Sequence, residues 1–346
     1  MKQVLFAISL FGLTLFIWSC QSKALTQCDS PKFEKLRGLS IVARPDSFKY
    51  NPMVDVQAVN ADWIAIIPYG FTRKGSPDVF YNEDWQWWGE RPIGVRTTIR
   101  RAKEKGINSM LKPQLWLSHG TWVGELDYEK EADWERWEST YEIFIMGLLN
   151  IAIEEDIKMF CIGTEFEIHA IKRPEFWRQL IKKMRKIYKG KLTYAANWDN
   201  FEKLPFWDDL DYIGIDAYFP LDDSTTPTVE QLLKAWKKPL AKIEKLYCKY
   251  QKPILFTEFG YMSVDRCAYN TWELEGKRRS IPQNNKAQMN ALEALFKTFW
   301  VKDWWAGGFL WKWHPDNKSG SHDHSKGYTP QGKDAEKCVA KWYGIK

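Results

Sequence analysis

Short apolar runs alternate with longer amphipathic stretches along the chain from residue 36 onward. Each apolar run has the length and composition of a strand that is buried on both faces, as in a parallel sheet. The predicted strands cover residues 36–42, 63–69, 110–117, 158–166, 192–198, 212–218, 254–259 and 307–313. The predicted helices cover residues 93–105, 133–155, 174–188, 228–250, 284–299 and 334–342. Eight strands that are mostly separated by helices favour an α/β fold, built as a single (β/α)8 TIM barrel, over an open sheet.

The first 20 residues predict an export signal rather than part of the fold. Lys2 precedes the apolar residues 4–18, and this apolar stretch is too short to span a bilayer comfortably. The Ile-Trp-Ser-Cys sequence at 17–20 resembles a bacterial lipobox, which predicts cleavage before Cys20 and lipidation of its thiol. The alternative is an ordinary secretory signal in which Cys20 is incidental. We expect an exported protein that is lipid-anchored to a bacterial membrane, on its periplasmic side or at the cell surface.

The polar residues 21–35 predict a tether, and the barrel with a C-terminal helix is predicted to occupy residues 36–346. About 310 residues fit one such barrel with insertions. Cys161 lies in a predicted buried strand and is expected to be reduced. The cysteines do not form the dense pattern of a disulfide scaffold. One disulfide, for example between Cys267 and another cysteine, is compatible with the sequence, which does not assign the partners.

The formal net charge of +6 is spread along the chain. The densest basic run, residues 182–189, has helical spacing and predicts a solvated helix face. Because no arginine-rich arm or nucleic-acid motif accompanies this run, we expect no nucleic-acid partner. The glycine-rich loop of a nucleotide site is absent from the sequence. We expect a monomer that needs no cofactor.

Two glutamates, Glu165 and Glu258, end short apolar runs in similar sequence contexts. A carboxylate at the C-terminal end of a buried strand is poorly placed for packing, and in a barrel that end carries the catalytic groups. Side chains alternate along a strand, so Cys161, Gly163 and Glu165 share one face, and Phe256 shares a face with Glu258. If both faces point inward, the two carboxylates meet at the barrel mouth, as in a glycosidase. The alternative is that one glutamate forms a structural salt bridge with an arginine or lysine.

The sequence contains 20 tryptophans, and many of them fall in predicted loops at the ends of strands. Broad aromatic faces can stack on the C–H faces of sugar rings, which favours a carbohydrate ligand. The alternative is that these side chains only cover the end of the barrel. The tryptophans at strand ends are Trp85, Trp87, Trp88, Trp116, Trp122, Trp198, Trp311 and Trp313.

The strand-end glutamates resemble those of clan A glycoside hydrolases. Within that clan, Thr-Glu-Phe at 164–166 and Thr-Glu-Phe-Gly-Tyr at 257–261 resemble glycoside hydrolase family 113, over roughly residues 35–315. The resemblance implies a retaining endo-β-1,4-mannanase in which Glu165 is the acid/base and Glu258 the nucleophile. Much of the clan has asparagine before the acid/base, where it contacts the sugar 2-hydroxyl, whereas this chain has Thr164.

Further side chains at strand ends are candidates for substrate binding. The resemblance implies that Tyr218 hydrogen-bonds the nucleophile and that Trp311 is a platform under the sugar. Lys112 could bind sugar hydroxyls or could instead be a buried charge paired with Asp216. The complete set of predicted substrate-binding residues is Tyr218, Trp311, Trp116, Lys112, Gln114, Asn197, Trp198 and Tyr69.

The function that these features favour is hydrolysis of β-1,4 linkages in a mannan-like polysaccharide, through a glycosyl-enzyme intermediate. The alternatives are a retaining glycosidase that acts on another β-glycan and a non-catalytic glycan-binding lipoprotein. A metal site would need ligands such as Glu165, Glu167, His169, His322 and His324 to converge. We expect no metal, because the two late histidines lie in a Ser/Gly/Lys-rich loop that is typical of solvent exposure.

Overall fold

A computed structural model of the chain describes residue 28 and residues 31–315 and 324–345. The predicted export signal, the lipobox Cys20 and His322 lie outside the described residues. No helix within the described part of the chain has both the length and the apolar composition needed to cross a bilayer.

The described residues form a closed parallel barrel of eight strands with helices around it, which confirms the predicted (β/α)8 fold. The barrel order is β1-β10-β9-β8-β7-β6-β4-β2, and β2 pairs with β1 to close the ring. The strands, including a separate β3–β5 pair, are β1 (Leu36–Ile41), β2 (Trp63–Ile66), β3 (Tyr69–Thr72), β4 (Asn108–Leu111), β5 (Gln114–Leu117), β6 (Met159–Thr164), β7 (Lys191–Asn197), β8 (Ile213–Asp216), β9 (Ile254–Phe259) and β10 (Trp305–Trp313).

The six predicted helices are present with bounds that agree to within a few positions, whereas the short helices α1, α4 and α7 were not predicted. Helix α6 begins with a capping box in which Thr228 and Gln231 each accept a hydrogen bond from the other residue's backbone N–H. Helix α5 begins at Pro174, a position where the missing N–H costs little. The helices are α1 (Met53–Ala58), α2 (Pro92–Lys103), α3 (Glu131–Glu154), α4 (Glu167–Lys172), α5 (Pro174–Ile187), α6 (Val229–Tyr250), α7 (Thr271–Lys277), α8 (Asn285–Phe299) and α9 (Asp334–Tyr343).

The predicted second and third strands are each divided in two. Residues 63–69 and 110–117 were each predicted as one strand, with only a short run expected for the first of these because of Pro68. The barrel strands β2 and β4 end before Pro68 and Pro113. Proline has no N–H to donate to a neighbouring strand, so the ladder cannot continue through it. The chain resumes as β3 and β5, which pair with each other beyond the barrel.

The interior of the barrel is filled by side chains of alternating size. Gly38 on β1 is paired with Phe309 on β10. A Cβ atom on Gly38 would lie 2.4 Å from the Phe309 ring, so the ring occupies the space that a larger residue would need. The buried apolar residues of this inner layer are Leu36, Ala65, Met110, Met159, Cys161, Ala195, Leu255, Ala306 and Phe309.

Replacing Gly38 with alanine is expected to lower the free energy of unfolding by about 1–3 kcal/mol, because the added methyl overpacks this layer. Urea denaturation would measure the change. Gly147→Ala on α3 is the matched control, because nothing lies within 4 Å of its added Cβ. The control should be neutral or stabilising by up to about 1 kcal/mol. Equal stability of Gly38→Ala and the wild type would contradict this packing argument.

The end of the predicted tether is attached to the barrel. Cys28 forms a disulfide with Cys248 near the end of α6. The Phe33 N–H donates to the carbonyl of Asp303 at 3.0 Å, and the Lys35 ammonium donates to the carbonyl of Lys302 at 2.5 Å. Residues 33–35 are therefore fixed rather than free.

The disulfide is not the one suggested as an example from the sequence. Cys267 is a buried free thiol, and Cys161 and Cys338 are also buried and free. The disulfide whose partners the sequence did not determine therefore joins Cys28 and Cys248.

Candidate active site

Both strand-end glutamates lie at the C-terminal rim of the barrel and line one cleft of about 940 Å³. Glu258 belongs to β9, and Glu165 directly follows β6. Glu165 has a left-handed backbone conformation, with φ of 57°, and its N–H donates to the carbonyl of Ala195 at 2.8 Å. A non-glycine residue in this conformation is uncommon, and such residues cluster at functional sites.

Three side chains fix the carboxylate of Glu258. The Lys112 ammonium and the Gln114 amide both donate to Oε1, the amide at 2.6 Å. The Tyr218 hydroxyl donates to Oε2 at 2.7 Å. Burial and the Glu258 charge raise the pKa of Tyr218 well above its ordinary value, so the phenol stays a neutral donor. Donors on both oxygens hold the Glu258 carboxylate in one orientation.

Lys112 lies behind Glu258 rather than in the cleft. Its side chain is 0% exposed, and Nζ lies 3.4 Å from Oδ2 of Asp216 as well as against Glu258. Burial lowers the pKa of Lys112, but the charges of Asp216 and Glu258 outweigh this effect and raise the pKa overall. The prediction that Lys112 binds sugar hydroxyls is therefore wrong, because its N–H donors face two carboxyls. The structure instead shows the alternative, a buried charge paired with Asp216.

Glu165 has a different environment. The Trp122 indole N–H donates to Oε2 of Glu165 at 2.7 Å. Burial and the charge of Glu258 raise the pKa of Glu165 to about 7, although the Trp122 hydrogen bond opposes this rise. The Glu258 carboxyl is thus paired with a cation, whereas the Glu165 carboxyl retains a proton near neutral pH. Such different environments allow one carboxyl to act as a nucleophile and the other as an acid.

The structural salt bridge weighed as an alternative for one glutamate is present between Glu258 and Lys112. This ion pair does not remove Glu258 from the cleft, because its carboxylate is still among the lining groups. Oε2 accepts from Tyr218, which itself lines the cleft. The ion pair therefore orients the carboxylate within the site.

Seven of the eight predicted substrate-binding residues line the cleft. Trp198 stacks on Trp272, with ring centroids 5.3 Å apart. The peptide bond from Trp311 to Lys312 is cis. Contacts between the seven predicted cleft residues and a sugar remain predictions. The seven residues are Tyr69, Gln114, Trp116, Asn197, Trp198, Tyr218 and Trp311.

Thr164 precedes Glu165, at the position where much of the clan has asparagine. Its side chain is buried, and its hydroxyl donates to the carbonyl of Pro113 at 3.3 Å. The hydroxyl is therefore directed at the backbone between β4 and β5, while Thr164 also belongs to the lining of the cleft.

Several cleft residues were not selected from the sequence. Trp122 was noted only as one of many loop tryptophans, and its contact with Glu165 depends on a short 3₁₀ turn after it. Trp272 lies on α7, a helix that was not predicted. Because these positions depend on loop conformation, no periodic pattern marks them. Other lining residues in this group include Thr271, Glu275, Lys312 and Tyr328.

His169 lies in the helical layer rather than beside Glu165. The Trp177 indole donates to its Nδ1 at 2.9 Å, and its Nε2 lies 3.3 Å from a carboxylate oxygen of Glu138. Burial lowers the pKa of His169. Within the described ranges, no group of three His, Cys, Asp or Glu side chains is arranged to hold a metal ion.

Solved structures with this fold include several glycosidases. A GH113 β-1,4-mannanase complex is 22% identical to the chain, with a TM-score of 0.77 over 91% of this chain and 100% of the other. GH113 β-mannanase AaManA from Alicyclobacillus acidocaldarius is 24% identical, with a TM-score of 0.77 over 90% and 97%. The β-glucuronidase of Ruminococcus gnavus is 13% identical, with a TM-score of 0.60 over 90% and 50%. These likenesses show a shared barrel.

No curated relative matches the sequence. A sequence model described as Glycoside Hydrolase Family 113 matches residues 48–333, which is most of the chain and includes both glutamates. The resemblance seen in the two Thr-Glu-Phe motifs is thereby confirmed. The chain belongs to Glycoside Hydrolase Family 113 and is a glycoside hydrolase.

Proposed function

We propose that the protein hydrolyses internal β-1,4 linkages of a mannan-like polysaccharide with retention of anomeric configuration. The observation that carries this proposal is the pair of carboxyls in one cleft with opposite environments. Glu258 is ion-paired and held by donors on both oxygens, whereas burial and the Glu258 charge raise the pKa of Glu165 to about 7. A retaining glycosidase needs one ionised nucleophile and one acid that keeps its proton.

In the first step, an oxygen of Glu258 attacks the anomeric carbon and the glycosidic C–O bond breaks. Glu165 gives its proton to the departing oxygen, so the leaving group departs as an alcohol. The product is a glycosyl ester of Glu258. Tyr218 and Gln114 hold the attacking carboxylate in place, which reduces the entropy lost on reaching the transition state.

In the second step, Glu165 acts as a base. The charge of Glu258 is one cause of the raised pKa of Glu165, and this charge disappears when the ester forms. The pKa of Glu165 therefore falls in the intermediate, and its carboxylate can take a proton from water. The resulting attack on the anomeric carbon breaks the ester and releases a product of retained configuration.

An extended aromatic rim supports a polymeric substrate. Trp116 and Trp272 line the cleft and are 54% and 48% exposed. Trp87 lines an adjoining cavity of about 90 Å³, and Trp85 packs edge-on against Phe71, which also contacts Trp116. Exposed aromatic side chains that cluster along one groove are typical of a ligand-binding surface. Mannan is favoured as the substrate because the two GH113 structures with a TM-score of 0.77 to this chain are β-mannanases.

Product analysis tests this proposal. We expect reducing-sugar release from mannan and glucomannan to exceed release from xylan and cellulose. Proton NMR within the first minutes should show the β-anomer of the new reducing end, before mutarotation. An initial α-anomer would contradict retention, a preference for another polymer would support the alternative β-glycan, and binding without release would support a non-catalytic glycan-binding protein.

Replacing Trp85 with alanine is expected to raise KM for mannan by roughly tenfold, equivalent to about 1.4 kcal/mol of binding. The kcat/KM for a short aryl β-mannoside should not change, because Trp85 lies on the rim outside the lining of the main cleft. Ile143→Ala, at an exposed position on α3, is the control. An equal loss on both substrates would contradict a role in binding distant sugar units.

We also propose that the protein is exported and lipid-anchored as a monomer. The Cys28–Cys248 disulfide supports an oxidising compartment, where such bonds persist. Membrane fractionation of the wild type and of Cys20→Ser tests the anchor. Release of the variant into the soluble exported fraction is expected, and unchanged membrane association would contradict lipidation at Cys20.

A further inference from the structure

Asp216 is a third acid beside the proposed catalytic pair, and the two-step reaction gives it no task. It ends β8, opposite Glu258 in the strand register. Its side chain is 1% exposed. Oδ1 accepts a hydrogen bond from the Thr257 hydroxyl at 2.7 Å, and Oδ2 lies 3.4 Å from Nζ of Lys112. A buried carboxyl in this position is costly unless its charge has a partner.

The partner is Lys112, which contacts Asp216 and Glu258 together. Before the attack, the ammonium pairs with the Glu258 carboxylate. When Glu258 becomes a glycosyl ester, its negative charge is lost while the ammonium remains fully buried. An unpaired buried cation at this point would oppose ester formation, because removing one partner of a buried pair is strongly unfavourable.

We propose that Asp216 is a positioning residue that carries the negative charge paired with Lys112 while Glu258 is esterified. The inference rests on the proposed function, because it requires that Glu258 forms the ester. Asp216 would thus keep the buried cluster balanced in the intermediate, which lowers the barrier to the first step.

The pKa of Asp216 is expected to fall when Glu258 is esterified, which favours the charged form of Asp216 in the intermediate. Burial and the Glu258 charge raise its pKa well above the ordinary value, and Lys112 opposes this rise. Esterification removes the Glu258 charge, so the pKa of Asp216 falls when the carboxylate is needed. A proton held by Asp216 before the attack passes to water in the cleft, which Asp216 lines, and returns when the ester is hydrolysed.

The two steps can be measured separately with a 2-deoxy-2-fluoro-β-mannosyl fluoride. Inactivation reports ester formation with loss of fluoride, and recovery after removal of the reagent reports ester hydrolysis. In Asp216→Asn, we expect inactivation to slow roughly 100-fold, the size of effect that one preorganised electrostatic group has. Recovery should be as fast as in the wild type or faster, because the unpaired ammonium makes Glu258 a better leaving group.

The double variant Lys112→Met/Asp216→Asn distinguishes charge balance from packing. Removing the cation also removes the charge that Asp216 balances, so inactivation should be at least about tenfold faster than in Asp216→Asn alone. A purely structural role of Asp216 instead predicts that both steps slow together and that the double variant is no faster. Either of those results would overturn the inference.

A second variant guards against misfolding of Asp216→Asn, which circular dichroism and thermal unfolding would reveal. Thr257→Val removes the hydroxyl that holds Asp216 and should slow inactivation, but not recovery, by a smaller factor. Thr193→Val is its control, because Thr193 is another buried barrel threonine whose hydroxyl hydrogen-bonds the carbonyl of Tyr212. Slowing of both steps in Thr257→Val would contradict the role of Asp216.

Mass spectrometry of the inactivated wild type separates failure of this inference from failure of the proposed function. A mannosyl adduct on the peptide that contains Glu258 supports the nucleophile, whatever the Asp216 variants do. An adduct elsewhere, or no adduct, would remove the proposed function and this inference together.

Discussion

Glu258→Ala is expected to lower kcat on mannan by at least about 10⁴-fold, a loss typical of removing a nucleophile. The substitution removes the group that attacks the anomeric carbon, and it leaves the Lys112 ammonium and the Tyr218 hydroxyl facing an empty space. KM should change much less, since the aromatic rim is intact. Initial rates of reducing-sugar release at saturating substrate would measure the effect.

Added azide gives this variant a specific signature. The anion can enter the space left by the carboxylate and attack an activated aryl β-mannoside from the same face, which gives an α-mannosyl azide. Glu230→Ala, at an exposed position on α6, is the control and should retain full activity. Activity of Glu258→Ala within tenfold of the wild type, or formation of a β-mannosyl azide, would contradict the assignment of the nucleophile.

Glu165→Gln is expected to lower kcat on mannan by roughly 10²–10⁴-fold, because the departing alkoxide is no longer protonated. The pH dependence gives a second signature. Only the protonated acid supports the first step, and burial and Glu258 raise its pKa to about 7. For the wild type, kcat/KM should therefore fall as pH rises through about 7.

In Glu165→Gln the fall of kcat/KM near pH 7 should disappear, since an amide does not titrate. Glu167→Gln is a control two residues away, at the start of α4, and should keep the wild-type profile. An aryl β-mannoside with a very acidic leaving group should lose less in the first step, because it needs no proton. Persistence of the same decline near pH 7 in Glu165→Gln would show that another group is the acid.

The barrel could be predicted because its strands are buried on both faces, which leaves continuous apolar runs in the sequence. The catalytic candidates stood out for the related reason that Glu165 and Glu258 interrupt such runs. Pro68 indicated a short second strand, but the pattern could not show that separate strands begin after Pro68 and Pro113, since an apolar run continues past each proline. The division matters, because it lets Lys112 point inward under Glu258 while Gln114 reaches the same oxygen from β5.

Contacts between distant loops were not predictable from the sequence. The Cys28–Cys248 disulfide joins residues separated by 220 positions, and sequence spacing does not determine such pairings. The position of Trp122 against Glu165 depends on the path of the chain after β5. The ion pair of Lys112 was anticipated only with Asp216, because the sequence did not show that Glu258 lies on the other side of the same ammonium.

The disulfide also fixes the position of Cys28 relative to the two ends of the barrel. Cys248 lies just before β9 begins, at the strand starts, and the Asp303 carbonyl bound by Phe33 lies just before β10. Cys28 and residues 33–35 are therefore attached at the end of the barrel opposite the cleft. If the preceding residues are held at a cell surface, the cleft opens outward, so a long insoluble polymer could be cut along its length without colliding with that surface.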